Sequence, residues 1–332
     1  MQCPKCGAVV AEGSNFCEVC GTRLAAPSSA APTTPAYSRC RCGAGPEAVD
    51  EQGYCTVCGR KRERLARNHV ELSLAPHFAG VTDRGIRHFR NEDDMALALE
   101  MRNGEPAYIA VVCDGVSSSQ EADRASEVAA LGARDTLLLA LKEPEFDPEG
   151  AILLAIRAAH EAVCALNYAP HAEKAPPETT IVAAVVADGK ATIGWVGDSR
   201  AYWLGTGPDA DAQLTRDHSW VNEKVDSGEM TEEEALQSSL AHAITRSLGK
   251  LEHEDTCQSP EASVIVFPFP ATGRLLVCSD GLWNYAPHST DLAERIAQAP
   301  EGADALGIAR HLIEFAVAQG GRDNITAVLL SV

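Results

Sequence analysis

The chain is 332 residues long and carries 47 acidic against 28 basic residues, a formal net charge of −19. Hydrophobic residues make up 45% and charged residues 23%, a composition that fills a core and excludes a structureless chain. Residues 1–68 hold 9 basic and 6 acidic side chains, and the remainder 19 basic and 41 acidic, so the main body repels nucleic-acid backbones and favours divalent cations. The length fits one large domain with a small appendage. The start, MQCPKCG, lacks a charged and apolar leader, and no run of 18 apolar residues occurs. The chain is therefore expected to be soluble and cytoplasmic, without a membrane partner.

Eight of the 12 cysteines fall in the first 58 residues as closely spaced pairs. Cys3 and Cys6 form a CxxC knuckle, ten residues precede Cys17 and Cys20, and glycine follows each pair (Gly7, Gly21). Four thiolates at this spacing suit one tetrahedral Zn2+, and the glycines let the backbone turn tightly around the sulfurs. Cys40, Cys42, Cys55 and Cys58 repeat the pattern as CxC, twelve residues and CxxC, with Gly43 and Gly59 trailing. Two structural Zn2+ are expected, each held by one ribbon or by knuckles drawn from both, because modules this small fold on metal rather than on a core. Reactive or redox thiols are the competing reading. The expected organisation is a ribbon at 1–24, a disordered Pro/Ser/Thr/Ala linker at 25–38 (AAPSSAAPTTPAYS), a second ribbon at 39–64 and the main domain at 72–332. The basic stretch RKRERLAR at 60–67 reads as a solvated lead-in, with docking or nucleic-acid contact as alternatives.

From about residue 72 onward, short Val/Ile/Ala-rich runs alternate with helical periodicity. Strands are predicted at 107–113, 179–187, 191–204, 274–279 and 325–332, continuous enough to be buried on both faces. Helices are predicted at about 120–142, 149–167, 231–240, 288–298 and 301–319. This alternation implies a layered α/β protein. Glycine-rich nucleotide-binding fingerprints are absent.

The strand ends carry the chemistry. Asp114-Gly115 follows AVVC, Asp198 follows IGWVG, Asp280-Gly281 follows LLVCS, and Asp323 stands just before the last strand, with Glu92 and Asp93 upstream. Any one Asp-Gly could be a turn. Several desolvated carboxylates converging at strand ends instead need counter-charge, and an oxygen-only ligand set favours Mg2+ or Mn2+ over zinc.

The series RGIRHFRNEDD, VVCDG, ETT, GDSRAYWL, LTRDHSW, ITRSLG, VCSDGLW and GGRDNIT, across roughly residues 75–332, resembles the metal-dependent Ser/Thr protein phosphatases of type 2C (PPM) in their bacterial form. The resemblance implies a four-layer α-β-β-α sandwich with a two-metal centre at one end. It implies that Asp114 bridges both ions, that Gly115 adds a carbonyl, that Asp280 and Asp323 bind the second ion, and that Glu92 and Asp93 hold metal-bound waters. Asp198 with Asp280 resembles the site of a third, weaker ion. Cations about 3.5–4 Å apart would activate a bridging water for in-line attack on phosphorus, which makes Asp93, Asp114, Asp280 and Asp323 the catalytic set.

Phosphate contact falls to Arg87 and His88, because the arginine common in the family would align near His88. The loop VSSSQEADRAS after Gly115 also departs from the family, leaving no equivalent of a proposed general acid there. Cys113, Cys278, Cys164 and Cys257 read as small core residues, since none begins a phosphate-cradling Cys-x5-Arg loop. Trp195, Tyr202 and Trp203 read as core, Thr179 and Thr180 as supports near the cleft, and Asp217 as a turn residue. His218 is expected to pack at the base of a mobile flap spanning about 217–245. The expected partners are phosphorylated proteins and a cognate Ser/Thr kinase, with the ribbons recruiting one of them. An adaptor that binds phosphoproteins without turnover is the alternative, and a zinc-ribbon nucleic-acid binder the third reading.

Overall fold

The computed structural model describes residues 40, 42–45, 48–49, 54–60, 67–169, 174–206, 210–250, 257–258, 260–270 and 272–332. The first cysteine quartet (Cys3, Cys6, Cys17, Cys20), the linker and most of the basic stretch lie outside them. The chain divides into two compact units, Met1–Arg62 and Glu63–Val332.

In the larger unit, side-chain alternation along the strands sets the layering. One sheet has the order β11-β7-β6-β4-β3, built from β3 (Asp93–Arg102), β4 (Glu105–Asp114), β6 (Ile181–Ala187), β7 (Lys190–Val196) and β11 (Ser263–Pro268). The other has the order β1-β2-β13-β12-β8-β9, built from β1 (His69–Ala75), β2 (Phe78–Asp83), β8 (Arg200–Gly205), β9 (Ala212–Gln213), β12 (Gly273–Cys278) and β13 (Ile325–Ser331). A short pair, β5 (Glu178–Thr179) with β10 (Leu248–Gly249), stands beside them.

On β4, Ile109, Val111 and Cys113 pack toward α1 (Ala122–Ala140) and α2 (Pro148–Cys164), while Ala110 and Val112 pack toward the opposite sheet. On β13, Ile325, Ala327 and Leu329 face α6 (Ser289–Ala297) and α7 (Ala305–Ala318), and Val328 and Leu330 face the middle. This period of two buries both strand faces and gives the expected α-β-β-α sandwich. Its helices begin where local chemistry dictates. Pro148 opens α2, and the Asp304 side chain accepts the Gly307 N–H at 2.8 Å to start α7.

The run at 191–204 is not one strand. β7 and β8 belong to different sheets, and the chain crosses between them at Gly197, whose φ of 105° suits glycine alone. This crossing carries Asp198 to the end of the sandwich. The helix expected at 231–240 is only α4 (Glu232–Leu236), capped by Thr231 and Glu234; α3 (Trp220–Asp226) precedes it in the flap region. The four-residue α5 (Asp280–Trp283) follows β12 directly.

Trp195, Tyr202 and Trp203 are buried, as are Cys113 and Cys278. Cys164 and Cys257 are not core residues. Cys164 is half-buried, Cys257 is exposed, and the two are joined as a disulfide. Among the described residues no helix is long and apolar enough to cross a membrane.

Candidate active site

Strand register delivers the carboxylates. Antiparallel pairing of β3 with β4 sets Asp93 opposite Asp114, and β12 lies beside β13, so Asp280 emerges near the chain that carries Asp323. Asp93 ties the two sheets together, since its Oδ2 accepts hydrogen bonds from Ser279 Oγ and Thr326 Oγ1, both at 2.7 Å. Its Oδ1 is buried and accepts nothing from the described residues, and the same holds for Asp280 Oδ1. Gly281 admits only hydrogen at its Cα, because a Cβ there would collide with the Asn324 carbonyl.

The electrostatics follow from that convergence. Burial pushes the Asp93 carboxyl up to about 7 against the Ser279 and Thr326 hydrogen bonds, with Asp323 adding repulsion. Asp280 rises to about 7 through burial, then through Asp323 and Asp93. Asp198 rises to about 8 through burial, then through Asp280 and Asp217. Asp114 lies well above the carboxylate range, through burial first and then through Asp93, Asp280, Asp323 and Asp198. Without cations this site stores protons.

The rim is organised differently. Glu92 does not lie open to the centre: Oε1 accepts from Arg90 Nε at 2.9 Å and Oε2 from Ser117 Oγ at 2.7 Å. The Glu92 N–H donates to Asn324 Oδ1 at 2.7 Å, while the Asn324 amide donates to the Arg84 and Arg90 carbonyls. Ser117 thus gives the VSSSQ loop a role that its sequence did not disclose. His88 Nε2 lies 3.3 Å from Asp323 Oδ1, which brings His88 to the site, whereas the Arg87 side chain is exposed. Thr179 Oγ1 and the Thr180 N–H both donate to the Asp114 carbonyl at 2.8 Å, the support expected of that pair.

Two further ties were not legible in the sequence. Asp217 is no mere turn residue: Arg200 grips both of its oxygens at 2.7–2.8 Å. The same guanidinium stacks 3.6 Å from the ring centre of Trp283, whose Nε1 donates to the Asp198 carbonyl at 3.0 Å. His218, beside it, stacks on Trp195 and accepts the Gly197 N–H on Nδ1 at 3.1 Å, so Nε2 holds the proton toward Ser263 Oγ at 3.0 Å. Burial depresses its pKa to about 4. His218 is a neutral brace at the flap base. A cavity of about 820 Å3 runs from Asp198 and Asp280 to Glu232, Leu236 and His242 of the flap region.

The second tie is Arg67, the last residue of the basic stretch and only 13% exposed at its side chain. It donates to the Asp93 carbonyl at 3.0 Å and pairs with Asp94 at 2.9 Å and Glu127 at 3.3 Å. The adjoining carbonyl of Arg67 accepts from Asn91 Nδ2, which also donates to Thr82 Oγ1 beside Thr326. The solvated reading of the basic stretch therefore fails at its end.

In the smaller unit, Cys40 Sγ lies 3.5 Å from Cys58 Sγ and Cys42 Sγ 3.7 Å from Cys55 Sγ, and all four sulfurs fall within 4.8 Å of one another. A tetrahedron with Zn–S bonds of about 2.3 Å has edges of about 3.8 Å. Backbone hydrogen bonds from Gly43 to Cys40 and from Gly59 to Cys55, both 2.8 Å, shape the two knuckles. Against burial, backbone donors at Val57 and Cys58 lower the Cys55 thiol to about 6, while at Cys58 the backbone donor at Arg60 is outweighed by burial and the neighbouring cysteines, which push that thiol up to about 12. Four such sulfurs ionise together only around a cation.

The sheet pair and its acidic end define a phosphatase-type sandwich. The family model of protein phosphatase 2C matches residues 84–315, and a zinc-ribbon model matches residues 2–24. The serine/threonine phosphatase stp of Listeria welshimeri is 34% identical over 257 residues, covering 75% of this chain and 93% of that protein. The crystal structure of the Mycobacterium tuberculosis serine/threonine phosphatase PstP/Ppp superposes with a TM-score of 0.58 at 29% identity, covering 77% of this chain and 97% of that one. The PstP catalytic domain in complex with two manganese ions gives a TM-score of 0.56 at 30% identity, with the same coverage. This chain belongs to the protein phosphatase 2C family.

Two outcomes follow from the geometry. Replacing Arg67 with alanine removes the donor to the Asp93 carbonyl and the ion pairs with Asp94 and Glu127, and loosens the start of β3, so the variant should lose about 1–3 kcal/mol in denaturant unfolding. It should also need several-fold more divalent cation for half-maximal thermal stabilisation. Above about pH 4 an unfolded chain has released its aspartate protons, whereas the metal-free fold keeps those of Asp93, Asp280 and Asp198 until about pH 7–8. The melting temperature of the metal-free protein should therefore fall as pH rises from about 4.5 to about 8 and level off above that. Saturating Mg2+ should abolish that fall, and a flat metal-free profile would contradict the proton-loaded site.

Proposed function

We propose that this protein hydrolyses phosphoserine and phosphothreonine in proteins with the help of two Mg2+ or Mn2+ ions. The observation that carries this reading is the pair of buried, unpartnered oxygens, Asp93 Oδ1 and Asp280 Oδ1, within a carboxylate group whose members raise one another's proton affinity. Oxygen donors without histidine or thiolate suit hard divalent cations. The relatives point the same way, since their names are those of serine/threonine phosphatases and one solved structure holds manganese.

Asp114, Gly115, Asp280 and Asp323 would hold the ions, Glu92 and Asp93 would orient water around them, and Asp198 with Asp280 would take a third. Such ions, when bound, polarise water and screen phosphoryl oxygens. The chain's own contribution is placement. Ser279 and Thr326 fix the Asp93 carboxylate, Thr179 and Thr180 fix the Asp114 carbonyl, and Arg90 with Ser117 fixes Glu92. His88 and Arg87 would receive the substrate phosphate. His88, beside Asp323, is a single donor there, whereas the exposed Arg87 guanidinium is always charged and can fork onto two oxygens. No cysteine nucleophile is needed: burial and nearby aspartates raise the Cys113 thiol well above its usual value, with burial the larger cause.

Cys40, Cys42, Cys55 and Cys58 would hold one structural zinc, and Cys3, Cys6, Cys17 and Cys20 a second. The ribbons would recruit a phosphoprotein or a Ser/Thr kinase.

Asp280→Asn keeps shape and removes charge. Outer-shell changes at metal sites cost about 10–100-fold, so this direct ligand should cost more than ~100-fold in Mn2+-dependent hydrolysis of a phosphothreonine peptide. Retained turnover would remove the mechanism. The flap exposes Glu232 at the cavity, so basic phosphopeptides should give lower KM than acidic ones at low salt, with the difference shrinking as salt is added. Equal KM values across a peptide charge series would contradict that role for the flap.

A further inference from the structure

Away from the acidic centre, His160 and Cys164 stand one turn apart on α2 and therefore share a face. Cys257 meets them from the chain that follows β10, with its Cα 6.3 Å from that of Cys164, inside the range a disulfide spans. His160 Nε2 lies 3.1 Å from Cys257 Sγ and 3.5 Å from Cys164 Sγ. The other ring nitrogen settles which group is the donor: Nδ1 accepts the Gly249 N–H at 3.2 Å, so the proton of the neutral ring sits on Nε2 and points at sulfur. Burial, which depresses the His160 pKa, keeps the ring neutral. In this tautomer the imidazole offers no lone pair toward the sulfurs, so the three side chains do not form a metal site. An N–H donor instead favours a thiolate.

We propose that Cys164 and Cys257 form a reversible thiol–disulfide modification site, with His160 as the donor that makes Cys257 the attacking thiolate. Exposure supports this order, because Cys257 is exposed, Cys164 half-buried and His160 buried. With a peroxide as oxidant, the Cys257 thiolate attacks one peroxide oxygen, the O–O bond breaks, and the leaving hydroxide takes a proton to become water. The Cys164 thiol then attacks the sulfenic sulfur of Cys257, forming the S–S bond and releasing a second water. A dithiol reductant reverses the step by exchange, giving two electrons and two protons to the Cys164 and Cys257 sulfurs and leaving as its own disulfide.

The bond closes a loop of 93 residues in sequence separation and lies close to the catalytic chain. Gly249, held by His160, belongs to β10, and β10 pairs Leu248 with Thr179. Thr179 in turn donates to the Asp114 carbonyl. Reduction is expected to loosen this pair of strands and weaken the hold on Asp114. The effect on activity rests on the proposed phosphatase function, whereas the modification itself does not.

The test uses the full-length protein reduced with a dithiol, freed of reductant, exposed to hydrogen peroxide, alkylated and mapped by mass spectrometry. The expected result is a cross-linked pair of peptides containing Cys164 and Cys257 that dithiol treatment separates. His160→Gln should form the link about tenfold more slowly, the loss of thiolate that about one unit of pKa produces. Amides of Leu248 and Thr180 should exchange several-fold faster in the reduced protein, and the Mn2+ concentration for half-maximal hydrolysis should rise several-fold. Neither quantity should respond to oxidant in Cys257→Ser. Persistent alkylation of both cysteines after peroxide would overturn the proposal, as would a zinc ion lost from the chain on Cys257→Ser substitution. A cross-link that leaves amide exchange unchanged would overturn its coupling to Asp114. Since the cross-link is read without turnover, absence of hydrolysis would count against the phosphatase reading alone.

Discussion

Mutual repulsion among buried carboxylates is the constraint around which the larger unit is arranged. Asp93, Asp114, Asp198 and Asp280 each lie at a proton affinity raised by burial and by one another. Two guanidiniums at the rim are engaged mainly elsewhere, although Arg200 still lowers the Asp198 carboxyl against burial, Asp280 and Asp217. Arg90 is spent on Glu92 and Asp123, and Arg200 on Asp217 and the face of Trp283. With these guanidiniums turned to outer carboxylates, the inner acids are left with an excess of negative charge that protons or cations can balance. A fold optimised for stability alone would have turned one arginine inward.

The same constraint explains where the structure is stiff. Carboxylates that repel one another stay together only if they are held, and Ser279, Thr326, Thr179 and Thr180 donate hydrogen bonds to Asp93 or Asp114 while the Glu92 N–H donates to Asn324 Oδ1. Most run between the two sheets or between distant strands, so the acidic centre and the sandwich stabilise each other's geometry. Arg67 extends this hold to the entrance of the larger unit, where it is anchored to the Asp93 carbonyl.

The aspartates were legible because a charged residue ending an apolar run contradicts the run's burial, and that contradiction is visible without coordinates. The strands β4, β6, β12 and β13 were legible for the same reason, being apolar on both faces. β1, with its polar and half-exposed pattern, and β3, whose outer half is exposed, carry a weaker signal. The division of 191–204 into β7 and β8 turns on the φ of Gly197, which an apolar run hides. Ser279 and Thr326 were missed because a hydroxyl beside Asp280 reads as turn chemistry, and a threonine within an apolar strand as ordinary strand filling, until the two sheets are brought face to face. Arg67 and the Cys164–Cys257 bond depend on partners 26 and 93 residues away, a separation at which one sequence carries no pairing information.

The two units reach order by opposite means. The larger one buries three hydrophobic layers and then tolerates an unbalanced acidic end. In the smaller one the described order is the convergence of four sulfurs with the turns at Gly43 and Gly59. On the proposed function, loss of a soft cation would undo the turns that bring Cys40, Cys42, Cys55 and Cys58 together, whereas loss of hard cations from the acidic centre would only return protons to carboxylates already held in place. Thiolate and carboxylate sites also select different ions, so the two units can be loaded independently from the same solution.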